Sequence, residues 1–205
     1  MVNSRTPVIV RTAAAADLDA IVATMTTAFF DDPLWGPTFP DVDLRATQAG
    51  ALWRLFVSSS MRHDWTLVTA NAESAAVWIP PGEAELTVAE QHGLEGFLTE
   101  VAGPQVSAAV LEISEQFETA RPDEPHYYLS LLATHGDHRG AGLGMGLLRE
   151  SLSRIDALGL PTYLESSNPA NDRRYAAVGF TQLTRLTMPG GQQVSTMWRP
   201  VPNQK

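Results

Sequence analysis

Residues His126 to Thr134 form a nearly unbroken apolar run that leads through Gly136-Asp137-His138-Arg139-Gly140 into a segment with Leu143, Leu147, Leu148, Leu152 and Ile155 at helical spacing. Such a run, closed by a glycine turn, has the pattern of a strand buried on both faces, and the apolar stripe of the next helix is the natural cover for one of them. A buried strand feeding a packed helix confines the chain to mixed α/β or α+β architectures.

The remaining elements agree with that class. Val8 to Arg11 reads as a short strand. Thr12 is a candidate N-cap for a helix carrying Leu18, Ile21, Val22, Met25 and Phe29, which Asp31-Asp32-Pro33 ends and Trp35-Gly36-Pro37 continues as loop. A second helix follows with Leu52, Leu55, Phe56 and Ser59 on one face. Trp65–Ala70 and Ser74–Ile79 read as strands joined at Asn71. The stretch 83–120 is helical by period, broken at Gly103-Pro104. Leu160–Glu165 is a further strand and Pro169–Ala177 a short helix. Thr181–Met188 and Val194–Arg199 close the chain as a hairpin around Pro189-Gly190-Gly191. No convincing linker divides residues 1–205, a length that fits one domain.

Composition excludes several classes of function. The net charge of −9 argues against a general nucleic-acid binder, which needs surplus Lys and Arg for phosphate. No apolar run is long enough to span a bilayer, so no membrane partner is expected. Cysteine is absent, which removes disulfides and thiolate metal sites and fits a reducing cytoplasm. The histidines are not grouped at metal-ligand spacing, so no metal is expected.

The turn Arg139-Gly140-Ala141-Gly142-Leu143-Gly144 is the most informative segment. A helix N-terminus offers free amides and the positive end of a dipole, glycines admit close approach, and Arg139 supplies a cation. Phosphate binding and simple close packing both remain open for this motif. A Rossmann loop fits poorly. The third glycine of its spacing falls on Met145, the segment lies past the middle of the chain, and Glu165 is a few residues too far to be the ribose ligand. A P-loop lacks its Gly-Lys-Ser/Thr ending.

Arg139, Gly142 and Gly144, placed after a buried strand and opening a helix, resemble the acetyl-CoA motif Arg-x-x-Gly-x-Gly of the GNAT acetyltransferase superfamily. Leu164 to Asn171, Tyr175 and Gly179-Phe180 resemble that family's late strand, short helix and terminal Gly-Phe. Arg11-Thr12, Asp17-Leu18, Ala28-Phe29, Ala76-Val77-Trp78 and Tyr128-Leu129 are similar to the puromycin N-acetyltransferase-like bacterial group. The resemblance implies one domain over 1–205, with a mixed, mostly antiparallel sheet of about six or seven strands flanked by helices. It places the cofactor motif at 126–180 and a helical insertion at about 83–120, and the region from Pro80 to Pro125, which matches least well, is where acceptor specificity is expected. Gly136 and Ala141 stand where that family often has Pro and Lys.

By the same resemblance, acetyl-CoA is the co-substrate and a primary amine of a small molecule, such as an antibiotic-like or aminonucleoside compound, the acceptor, in a monomer or homodimer. Acetylation of a protein lysine or N-terminus, and acyl-CoA sensing without turnover, are the alternatives. Backbone groups of Leu131, Leu132 and Thr134 would pair with the pantetheine arm and the acetyl carbonyl. The amides of Arg139, Gly140, Ala141, Gly142, Leu143 and Gly144 would hold the pyrophosphate. Tyr175 falls at the usual general acid, and Asn171 is a further pantetheine contact or a helix-start residue. Glu165, ending a strand in apolar surroundings, is a candidate base or amine anchor, or else a structural partner of Arg173 or Arg174. His135 and His138 flank the turn, His126 reads best as core, and Asp31 and Asp32 can attract an amine or simply end their helix.

Overall fold

The computed structural model describes residues 8–202. Its strands are β1 (Val10–Thr12), β2 (Thr66–Thr69), β3 (Ser74–Ile79), β4 (Tyr127–Thr134), β5 (Thr162–Ser166), β6 (Thr181–Thr187) and β7 (Gln193–Arg199). They form one sheet in the order β1-β2-β3-β4-β5-β7-β6. Every neighbouring pair is antiparallel except β4 and β5. The mixed, mostly antiparallel sheet is therefore the one expected, with seven strands.

Helices α1 (Leu18–Phe29), α2 (Trp35–Thr38), α3 (Val42–Ser60), α4 (Val88–Ala102) and α5 (Pro104–Ala120) precede β4, and α6 (Leu143–Asp156) and α7 (Asp172–Ala176) follow it. One sheet face buries Val77, Tyr128 and Tyr163 beneath α1, α3, α4 and α5. The other buries Trp78, Leu129 and Leu164 beneath α6. The β6–β7 hairpin reaches over the first layer, where Met188 and Val194 pack with Leu34 and Ile113.

Several local expectations need correction. Thr12 does not cap a helix: it ends β1, and a 3-10 turn intervenes, with Asp17 accepting from the Ala14 amide at 2.7 Å. Val8 lies outside the strand, because β1 begins at Val10. Trp35-Gly36-Pro37 is not loop but the single turn α2, whose first amides donate to the Asp32 carboxylate. The helical insertion begins at Val88, where Thr87 and Glu90 form a reciprocal capping box; residues 83–86 run as irregular chain before it. The break at Gly103 is real: its φ of +84° suits glycine, and Pro104 opens α5.

Two irregularities in β4 create the functional geometry. Pairing with β5 stops at Leu129–Leu164, although both strands continue, so they fork from Ser130 and Glu165 onward. On the other edge, the register with β3 slips between Val77 and Trp78, which pair with Leu131 and Leu129 and leave Ser130 as the bulged residue.

Candidate active site

The fork between β4 and β5 is the root of a cleft of about 560 Å³. Its walls come from the second half of β4, the opening of α6, the end of β5 and α7, with the α1–α2 connection closing one side. Beyond Leu129 no strand among the described residues pairs with β4 on this side, so the backbone groups of its alternate residues there are offered to the cleft.

At one end lies the glycine turn. Gly140 and Gly142 have φ of +84° and +81°, and Gly142 is the N-cap of α6 without a side-chain cap. The first amide to bond back within this helix is Gly146, to the Gly142 carbonyl at 2.9 Å. The amides of Leu143, Gly144 and Met145 therefore open α6 without intrahelical acceptors, as helix starts must. A Cβ on Gly144 would lie 2.6 Å from Thr134 Oγ1, so glycine is what lets this helix end press onto β4. Packing and anion binding are thus not exclusive: Gly144 serves the first, and the open amides suit the second.

Of the residues anticipated for the cofactor, Leu131, Leu132, Thr134, Arg139, Gly140, Gly142, Leu143, Gly144 and Asn171 line the cleft. Ala141 does not; its amide donates to the His138 carbonyl at 3.4 Å. The Arg139 guanidinium is engaged, donating to the carbonyls of Thr27 and Ala28 at 3.3 and 2.8 Å. It thereby ties the turn to the C-terminal end of α1, where a cation suits the exposed carbonyls. Asn171 accepts from Arg174 at 2.9 Å.

Glu165 sits at the fork, half-buried, and its Oε1 is sealed from solvent without a hydrogen-bond partner among the described residues. Burial raises its pKa to about 7, while Arg121 and the Tyr128 phenol pull in the opposite direction. The anticipated pairing with Arg173 or Arg174 is replaced by the charge of Arg121, from the end of α5. Arg121 lies over the Tyr128 ring at 3.9 Å and reaches Glu85 at 3.8 Å. Glu85 accepts from the Ser130 hydroxyl, and burial raises its pKa as well.

Tyr175 stands on another wall of the cleft, its ring edge-on to Phe180 at 6.0 Å. Burial, followed by the negative charges of Asp32 and Asp172, raises its pKa to about 12, so the phenol keeps its proton at neutral pH. Asp32 is 8% exposed and accepts from Leu34 N, Trp35 N and Ser167 Oγ at 3.0, 3.2 and 2.9 Å. It thus caps α2 and also straps the α1–α2 loop to the segment after β5. His126 is core, as its context suggested, between the Tyr163 and Trp198 rings.

Glu85, Arg121 and Ser130 are the site residues that sequence reading missed. The local signal was the capping box at Thr87–Glu90, which marks the start of α4 and so leaves Glu85 outside that helix.

No family model matches the sequence. Among solved structures, the chain is similar to a Corynebacterium glutamicum protein described as histone acetyltransferase HPA2 and related acetyltransferase, at 24% identity and a TM-score of 0.73, covering 98% of this chain and 99% of that one. It is similar also to arylalkylamine N-acetyltransferase 2 of Aedes aegypti, at 12% identity and 0.69, covering 96% and 100%. A third is the Drosophila melanogaster polyamine N-acetyltransferase, at 16% identity and 0.64, covering 93% and 98%. The fold is that of the GNAT acetyltransferases.

Proposed function

We propose that the protein moves an acetyl group from acetyl-CoA to a primary amine of a small molecule, within a complex of all three. The observation that carries this reading is Glu165: a half-buried carboxylate with a pKa raised to about 7 by burial and one oxygen without a hydrogen-bond partner among the described residues, at the strand fork of a cleft whose far end is an uncapped, glycine-opened helix. The fold likeness to N-acetyltransferases supports the same reading.

The cleft suits the proposed co-substrate on two counts. The amides at the start of α6, with those of Gly140 and Gly142 before it, offer donors to a pyrophosphate, and the unpaired edge of β4 at Leu132 and Thr134 offers amide partners to a pantetheine arm, whereas Leu131 turns its backbone to Val77 of β3. Acetyl-CoA supplies an acyl carbon activated by a thiolate leaving group. The residues of the chain supply the protons. The Glu165 carboxylate takes a proton from the acceptor ammonium, leaving the nitrogen lone pair free to attack the acyl carbon. A C–N bond forms as the C–S bond breaks, the second nitrogen proton passes to water, and Tyr175 donates the proton that the leaving sulfur takes up. The Tyr175 phenolate then recovers a proton from water and Glu165 releases its proton to water, so the products are an N-acetyl amine, the free thiol and one proton.

Residues 1–205 act in this reading as one catalytic domain, monomeric or dimeric, in the cytoplasm. The likeness around Ala76-Val77-Trp78 and Tyr128-Leu129 adds aminonucleosides to the acceptors worth testing. The test is thiol release from acetyl-CoA across a panel of amines, read with a thiol reagent to which this cysteine-free chain contributes nothing. Amine-dependent release establishes the transferase. Binding of acetyl-CoA with no release for any amine, lysine peptides included, overturns it.

A further inference from the structure

A second cavity, of about 270 Å³, lies across β4 from the cleft. The two share Trp35, Phe117, Ser130 and Leu131 as walls, and Ser130 is also the bulged residue beside the fork where Glu165 stands. No residue of the glycine turn lines the second cavity, so a molecule lying in it meets the fork at Ser130 from a wall of its own.

The chemistry of this chamber is uneven. Its interior is built from Trp53, Phe56, Leu94 and Val110, with Trp35 set edge-on to Trp53 at 5.0 Å. Its inner carboxylate, Glu85, is already committed to the Ser130 hydroxyl and to Arg121. Further negative charge lies outside, where exposed Glu83, 3.8 Å from His63, and exposed Glu118 border the cavity. Exposed acids attract a cation without stripping its water, whereas a second ammonium driven inward would be desolvated against indole and phenyl rings with no free carboxylate to meet it.

We propose that this chamber seats the body of the acceptor, and that the acceptor is a primary monoamine carried on a compact aromatic or branched apolar body, not a polyamine. This assignment rests on the acetyl-transfer reading above and adds to it the class of acceptor. The amine nitrogen passes between Trp35 and Phe117 to the fork, the body remains among the rings, and the charged border steers its approach. The 83–120 stretch selects the acceptor through the inner face of α5 and the approach to α4.

The experiment compares kcat/KM for 2-phenylethylamine, ethylamine, spermidine and a lysine peptide at saturating acetyl-CoA, using the full chain. It repeats the comparison in Ser114→Phe and Ser114→Leu, which project bulk into the chamber from a half-buried position on α5. The expected result is a preference for 2-phenylethylamine over spermidine and the peptide. The ratio of 2-phenylethylamine to ethylamine should then fall about tenfold in Ser114→Phe and less in Ser114→Leu, as pocket volume is lost. Preference for spermidine or the peptide, or an unmoved ratio in both variants, overturns the chamber assignment and leaves acetyl transfer standing. Thiol release with no amine at all overturns the transfer reading, and this one with it.

Discussion

At the scale of single residues, the two groups proposed to handle protons are tuned in ways that suit their tasks. Glu165 has its ordinary value of 4.5 raised to about 7 by burial, so near neutrality it is partly ionised and able to accept a proton. The rate should therefore rise with pH along a limb centred near that value. Glu165→Gln should remove that limb from the kcat/KM profile, leaving only the ionisation of the free amine. The same shift bears on stability. Between 4.5 and about 7 the unfolded chain has released a proton that the folded chain retains, so this residue's contribution to stability declines as pH rises through that window. Glu165→Gln should accordingly raise the melting temperature relative to the parent at about pH 8 but not at about pH 4. Tyr175 is the converse case, a phenol kept protonated by burial and by Asp32. Tyr175→Phe should lower kcat roughly a hundredfold while the KM for acetyl-CoA changes little. Steady-state kinetics on purified protein checks both substitutions.

At the scale of elements, the contact between α6 and β4 is the closest approach that matters for the site. Gly144→Ala would put a methyl 2.6 Å from Thr134 Oγ1, a hydroxyl already bonded to Ser74 Oγ at 2.7 Å. The cost should be about 1–3 kcal/mol, less what alanine returns in helix propensity. Adding Thr134→Ala should recover most of it, a non-additive pair that urea denaturation of the two single variants and the double variant would reveal. How far sequence reading reached is clearest at this scale. The strand–turn–helix around Gly140 and Gly142 and the break at Gly103-Pro104 could be read from periodicity and glycine placement, because both are set by neighbours in sequence. The fork at Leu129–Leu164 and the bulge at Ser130 could not be read, because they depend on which strand lies alongside. Glu165 was legible as a carboxylate in apolar company. Its actual cationic neighbour, Arg121, was not, because 44 positions separate them and only the path of α5 brings them together. The one-turn α2 was missed for a related reason: its cap, Asp32, also depends on the distant Ser167 for its setting.

At the scale of the whole molecule, the forked sheet leaves a large concavity on one side, which a bound ligand would brace by joining β4, α6 and α7. Coenzyme A at a hundred times its dissociation constant should stabilise the fold by about 2.7 kcal/mol and shift the melting curve upward accordingly. A chain whose α6 start is displaced should lose part of that shift, and Gly142→Pro, which φ of +81° forbids and which also removes the Gly142 amide, is the variant to compare by thermal unfolding, each against its own unliganded curve. The placement of Arg121 has a wider consequence. One helix walls the second chamber with Val110 and Ser114, then delivers at its end the guanidinium that offsets part of the rise in proton affinity that burial gives Glu165. If the chamber seats the acceptor as proposed, choice of acceptor and pH optimum are inherited together. On that proposal, a chimaera that borrows the α4–α5 hairpin of a protein of the same fold should acquire a new acceptor range and, with it, a new acidity at Glu165.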